Sequence, residues 1–182
     1  MPITGNGWEL LIRRQSVQQG SQKARTVGSY QVFHDGNAVA ALAGTTAESK
    51  GPSSNSTKGV RINPGSYRIG TQEGSHYSTL NYNPSPDLRL SPKPGIEVLD
   101  TGTRFEILIH PGKDAFLSSI GCINLCTRLP DAGERIDYPG SRMRVMALID
   151  DLRSFLGNSF PRNGEWPIPN AHLIIEEAAR LP

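Results

Sequence analysis

The chain has 182 residues, enough for one domain with its own hydrophobic core. Its formal net charge of +2 at pH 7 argues against nucleic acid as a partner, and no apolar run reaches the roughly 18 residues of a transmembrane helix. The 19 glycines and 14 prolines favour a β-rich, turn-rich chain over a helical bundle.

The N-terminal third of the chain predicts antiparallel strands. A first strand is expected over 8–14, and two alternating runs, 25–33 and 37–42, flank His34-Asp-Gly36. Asp-Gly between such runs is a strong hairpin signal, because glycine adopts the positive φ that the turn requires. The polar stretch 45–59 predicts an exposed loop after the hairpin.

The middle of the chain alternates connectors and short strands. Asn63-Pro-Gly65 predicts a turn that leads into a strand. The four prolines within 81–95 predict a surface connector, because each one removes a backbone donor. Strands are expected over 96–99 and 104–110. The second of these should be central, since Ile107-Leu-Ile109 is apolar at consecutive positions.

One helix and one strand complete the predicted elements. Ser141 is the expected N-cap, Gly157 is the expected C-terminal glycine, and the apolar positions between them are Val145, Leu148, Ile149, Leu152 and Leu156. A last strand is expected over 172–176. The order of many strands, one main helix and one strand predicts an α+β fold, mostly β, in a single domain over 1–182.

The chemistry of the chain is expected at His110 and Cys122, which eleven residues separate. A histidine at a strand end and a cysteine after a glycine form a base and a nucleophile. Gly121 leaves the thiol open, and backbone N–H groups at such a turn are candidates for an oxyanion hole. Cys126 is expected in the core. A zinc site from these residues lacks a fourth ligand and the usual Cys-x2-Cys spacing, so no metal or cofactor is expected.

His110 followed by Ser119-Ile-Gly-Cys-Ile-Asn124 resembles the motif of the L,D-transpeptidase (YkuD-type) catalytic domain family. That motif is a His, a spacer, and Ser/Thr-His-Gly-Cys-hydrophobic-Asn. Ile120 replaces the family's second His and the spacer is short, as in compact relatives that include antibacterial toxins of type VI secretion. The resemblance covers about 25–128, and the helix and strand over 141–176 lie outside it.

The resemblance implies an L,D-transpeptidase-like β-sandwich or barrel with one main C-terminal helix. It implies that the Cys122 thiolate attacks the carbonyl of the L-centre of meso-diaminopimelate in a peptidoglycan stem peptide. His110 takes the thiol proton and gives it to the leaving D-residue, and an amine, a D-amino acid or water resolves the acyl-enzyme. A free cysteine has a pKa of about 8.5, so the histidine is expected to lower it. The Pro111 carbonyl, Ser118 or Ser119 would orient the imidazole.

Further site residues follow with less specific signals. Ser118, Ser119, Gly121 and Asn124 are expected to support the thiol and the oxyanion. The candidates for substrate binding are a pair of arginines, one of which would hold a substrate carboxylate, and two neighbouring aromatic residues that would line a pocket: Arg104, Arg128, His76 and Tyr77.

Two alternatives remain open at this point. His172 lies 50 residues after Cys122, as the base does in papain-like cell-wall amidases. The second alternative is a catalytically silent domain that binds the cell wall or serves in a phage or secretion structure. The N-terminal residues do not resemble a signal peptide. We therefore expect synthesis in the cytoplasm and export to the periplasm or cell wall as an effector, with an immunity protein as a partner.

Overall fold

The computed structural model describes residues 2–20, 23–113 and 121–178. Ten strands, one helix and one short 3-10 turn form there. The strands are β1 (Trp8–Gln19), β2 (Ala24–His34), β3 (Asn37–Ser49), β4 (Gly65–Thr71), β5 (Tyr77–Ser78), β6 (Lys93–Pro94), β7 (Ile96–Val98), β8 (Leu108–Pro111), β9 (Ile123–Cys126) and β10 (Pro167–Glu177). The helix α1 spans Tyr138–Leu156 and the 3-10 turn spans Gly157–Ser159.

Eight of the strands close into a barrel in the order β1-β10-β4-β7-β8-β9-β3-β2, and β5 pairs with β6 in a separate two-stranded sheet. Within the barrel, β1 with β10 and β8 with β9 are parallel pairs, and the other neighbours are antiparallel. The prediction of a mostly β fold with one C-terminal helix is confirmed. In the described residues, no helix is both long and apolar enough to cross a bilayer.

The core forms where apolar side chains from all parts of the barrel meet. Its fully buried members include Leu10, Ile12, Val32, Ile69, Ile109, Ile123, Leu125 and Leu173. The helix adds the predicted stripe of Val145, Leu148, Ile149 and Leu152 to the same cluster. The spacing of these four residues places them on one face of α1, so burying that face fixes the helix on the barrel.

The helix lies across the barrel and bonds to several strands in turn. The Ser141 hydroxyl donates to the Leu125 carbonyl of β9, and the Trp8 indole of β1 donates to Asp151 at 2.7 Å. The prediction that Ser141 is the N-cap of the helix is therefore wrong. Asp137 caps the helix instead, because its carboxylate accepts from the Gly140 N–H at 2.9 Å.

Of three other local predictions, one is confirmed and two are corrected. Asp35 and Gly36 have φ values of 46° and 80°, which confirms the hairpin turn. The predicted loop over 45–59 is wrong at its start, because β3 continues to Ser49 and its residues 45–47 pair with β9. The strand predicted over 104–110 begins only at Leu108.

Candidate active site

The site lies on two neighbouring parallel strands, β8 and β9. Ile109 is in register with Ile123, and His110 with Asn124. Both isoleucines are in the core, and successive residues of a strand point to opposite faces, so His110 and Asn124 lie on the other side, called the outer face here. Cys122 comes two residues before Asn124 and shares this face. The Leu108 N–H donates to the Cys122 Sγ at 3.4 Å.

The Pro111 carbonyl orients the His110 imidazole, and the Asn124 amide holds the His110 backbone. Its Nδ1 lies 2.9 Å from the Pro111 carbonyl oxygen, and the Asn124 amide donates to the His110 carbonyl at 3.0 Å. A carbonyl only accepts, so the proton is assigned to Nδ1 and Nε2 is left as the basic nitrogen. Of the three groups expected to orient the imidazole, Pro111 is the one seen to do so. Ser118 and Ser119 lie outside the described residues.

The imidazole is almost fully enclosed, with 3% of its residue surface exposed. The Tyr77 ring covers it, with the ring centroids 4.6 Å apart and the planes at 43°. Burial lowers the pKa of His110 from 6.5 to about 4, and the charge of Lys93 adds to this effect. Burial also raises the pKa of Tyr77 to about 12. Both rings are therefore neutral at pH 7.

Burial raises the pKa of the Cys122 thiol, and the nearby carboxylate of Glu106 raises it further. The Leu108 N–H and the Arg104 guanidinium lower the pKa of the thiol, but by less than burial raises it. The thiol donates to the Glu106 carbonyl at 3.6 Å. The expectation that the histidine lowers the thiol pKa is not met, because an enclosed neutral imidazole carries no charge to favour a thiolate. The resting pair is a neutral thiol and a neutral imidazole.

Gly121 has a φ of 118° and packs against a buried arginine. A Cβ at this position would overlap the guanidinium of Arg104. Arg104 is 5% exposed and donates to the carbonyls of Ser54 at 3.0 Å and Val60 at 2.9 Å. Arg104 therefore packs against Gly121, the residue before Cys122. It is not among the described residues that line the cavity, so its predicted role in substrate binding is not supported.

A cavity of about 310 Å³ opens beside the thiol. It is lined by Gln72, Gly74, Ser75, His76, Tyr77, Glu106, Leu108 and Cys122. The structure thus brings the predicted residues His76 and Tyr77 to Cys122, whereas Arg128 is exposed and does not line the cavity. Gln72, Ser75 and Glu106 were not predicted. Nothing in the sequence marks Glu106, because its position depends on a φ of 55° that local sequence does not signal.

His172 lies on the other side of the barrel. Its strand, β10, is four strands away from β9 in either direction around the barrel. It lines a different cavity, together with Thr4, Asn6 and Phe155. A Cys122–His172 pair is therefore incompatible with the fold, and the amidase alternative loses its base.

Cys126 is 1% exposed and packs with Val27, Ala47, Leu129 and Ile136, which confirms its place in the core. Within residues 2–20, 23–113 and 121–178, no group of three or more His, Cys, Asp or Glu is placed to hold a metal ion. Comparisons of the chain with protein-family models, curated proteins and solved structures give no match.

Proposed function

We propose that the protein is a cysteine enzyme that acts on peptidoglycan stem peptides by L,D-transpeptidase-type or L,D-carboxypeptidase-type acyl transfer. One observation carries the enzymatic part of the proposal. Cys122 directly precedes β9 and lines an open cavity, and His110 lies on the adjacent parallel strand β8, where the Pro111 carbonyl orients it. The substrate class is supported by the resemblance of the His110 to Asn124 motif to the L,D-transpeptidase family.

The acylation step begins from two neutral groups. The Cys122 Sγ attacks the carbonyl carbon while the Nε2 of His110 takes the thiol proton, so proton transfer accompanies formation of the C–S bond. The tetrahedral intermediate then collapses with cleavage of the C–N bond. The His110 imidazolium gives its proton to the leaving amine, and a thioester on Cys122 remains.

Deacylation reverses these roles. Water or an amine attacks the thioester carbonyl and gives a proton to the Nε2 of His110. Cleavage of the C–S bond releases the new acid or amide, and the imidazolium returns the proton to the Cys122 sulfur. Water gives a trimmed stem peptide, a D-amino acid gives an exchanged one, and a peptide amine gives a cross-link.

The test is mass spectrometry of purified muropeptides after incubation with the protein. We expect loss or exchange of one terminal D-alanine from tetrapeptides, and we expect Cys122→Ala and His110→Ala each to abolish it. His172→Ala is the matched histidine control and should retain activity, as should the wild type in EDTA. Cleavage nearer the sugar would indicate an amidase. An unchanged muropeptide pool would refute the reaction and favour the catalytically silent domain.

We also propose that the protein is an exported antibacterial effector with a dedicated immunity protein. The support is the resemblance of the short spacer and of Ile120 to the compact relatives that include toxins. Expression with and without a periplasmic leader tests this proposal. Growth inhibition that requires the leader and Cys122 is the expected result, and equal growth of all strains would refute it.

A further inference from the structure

The cavity beside the thiol has an acidic wall. Glu106 is the one carboxylate among its described lining residues, and no lysine or arginine lines it there. Arg104 lies beneath Gly121 and is engaged with two carbonyls. The charged lining of the cavity is therefore negative and favours a cation over a carboxylate, while Arg104 and Lys93, the positive groups that act on Cys122 and His110, lie outside the lining.

Glu106 is held at the cavity by an unusual backbone conformation. Its φ of 55° lies in the left-handed region, which side-chain-bearing residues rarely adopt. Its carbonyl accepts from the Cys122 thiol, the residue lines the cavity, and its carboxylate is near enough to raise the pKa of that thiol. Across the described ranges, no hydrogen bond or ion pair involves its carboxylate. The carboxylate is therefore exposed at a cavity-lining residue and is available to a ligand.

A carboxylate next to a nucleophilic thiol opposes catalysis unless a ligand offsets it. Glu106 raises the pKa of Cys122, which reduces the thiolate available for attack. A cation bound against Glu106 would cancel this effect and would itself favour the developing thiolate. The position of Glu106 is thus better explained by substrate recognition than by activation of the resting thiol.

The walls of the cavity also suit the rest of such a ligand. Leu108 and the Tyr77 ring provide apolar surface, while Glu106 is exposed at the rim. An aliphatic side chain that ends in an ammonium group would place its methylenes against Leu108 and Tyr77 and its charge beside Glu106. Glu97 extends the negative potential, because it is in register with Leu108 and lies on the same outer face.

We infer that Glu106 is a specificity-determining residue and that the cavity binds a substrate side chain ending in an ammonium group beside the scissile carbonyl. This inference rests on the proposed function. Among stem peptides it selects those whose third residue is lysine, or diaminopimelate with its free carboxylate masked as an amide. Unmodified diaminopimelate places a second carboxylate near Glu106 and is disfavoured.

The first test compares two tetrapeptides, L-Ala-γ-D-Glu-L-Lys-D-Ala and its Nε-acetyl form, at pH 8 and low ionic strength. We expect wild-type kcat/KM to favour the ammonium peptide by about fivefold, from a single partly screened charge pair. Glu106→Gln should bring the ratio close to one. Glu134→Gln, a matched change at an exposed site outside the cavity, should leave the ratio unchanged.

A second readout needs no turnover. The 2-aminoethyl and 2-sulfonatoethyl methanethiosulfonates carry opposite charges and modify Cys122, and Cys122→Ala measures the background from Cys126. We expect the ratio of cationic to anionic rates to fall about fivefold in Glu106→Gln.

The two assays separate the possible failures. Turnover of both peptides with equal rates, and reagent ratios that Glu106→Gln does not change, would overturn the inference and leave the proposed function standing. No turnover of either peptide or of the purified muropeptides, with a reagent ratio that still depends on Glu106, would refute the proposed function and keep the cation preference. No turnover and no dependence on Glu106 would refute both.

Discussion

Protonation of the buried His110 should be measurable as a loss of stability at acidic pH. The pKa of this histidine is about 4 in the folded protein, against 6.5 for an exposed histidine. Between these values the unfolded chain binds a proton that the folded protein does not. The contribution of His110 to stability is therefore fully present above pH 6.5 and is lost as the pH falls towards 4.

The size of the effect follows from the two pKa values. A full difference of about 2.5 pH units corresponds to roughly 3 kcal/mol, and about 2 kcal/mol of it is already lost at pH 5. The perturbation that isolates it is His110→Gln, which removes the titrating group and keeps a polar side chain of similar size. Other ionisable groups cancel when the pH dependence of the variant is subtracted from that of the wild type.

The assay is urea unfolding of both proteins between pH 7.5 and pH 5. We expect the free energy of unfolding of the wild type to fall by about 2 kcal/mol more than that of His110→Gln over this range. His172→Gln removes a histidine on the other side of the barrel and controls for a general effect of the substitution. Parallel curves for the wild type and His110→Gln would refute the enclosed, neutral state of His110.

The same protonation state governs the thiol. If both groups are neutral at rest, the rate at which iodoacetamide alkylates Cys122 should rise steadily with pH up to pH 9, because the thiolate fraction increases. A thiolate–imidazolium pair would instead give a plateau between pH 5 and pH 8. Such a plateau would contradict the raised pKa of Cys122.

Two further substitutions, Gly121→Ala and Tyr77→Ala, each with a control, test the surroundings of Cys122 and His110. Gly121→Ala should abolish activity and cost about 3 kcal/mol of stability in thermal or urea unfolding, because it adds backbone strain and displaces the buried Arg104. Gly157→Ala also introduces the backbone strain of a positive φ, but nothing lies within 4 Å of the added Cβ, so it should cost about 2 kcal/mol, less than Gly121→Ala. Tyr77→Ala should hydrate the His110 imidazole and move the acidic limb of the pH–rate profile up by about 1 pH unit, whereas Tyr77→Phe should leave it in place. An unchanged limb in Tyr77→Ala would show that the ring does not exclude water from the imidazole.

Features that depend on local chemistry were accessible from the sequence. Asp35-Gly36 signals its turn because few residues adopt both positive φ values. The apolar stripe of α1 follows from helical spacing. His110 and Cys122 are recognisable as a pair because a base and a thiol flank one short segment. Each of these signals lies within a few residues of the feature that it predicts.

Features that depend on distant partners were not accessible. The polar residues Thr45 and Thr46 read as loop, and only pairing with β9 explains their place in a strand. Arg104 is predicted to bind substrate, but the fold buries it against Gly121. The exclusion of His172 likewise needs the strand order, since sequence separation carries no information about the side of a barrel on which a residue lies.

The charges around the thiol link activation to specificity. Burial and Glu106 hold Cys122 in its protonated form, and Arg104 beneath Gly121 only partly compensates. Burial is the larger effect and Glu106 the smaller, so a ligand cation at Glu106 offsets the smaller one, and the proposed substrate assists the activation of its own nucleophile. Glu106→Gln should then speed the reaction of Cys122 with neutral iodoacetamide while it slows turnover of the ammonium peptide. A residue that only contacts substrate would change turnover and leave the alkylation rate unaltered.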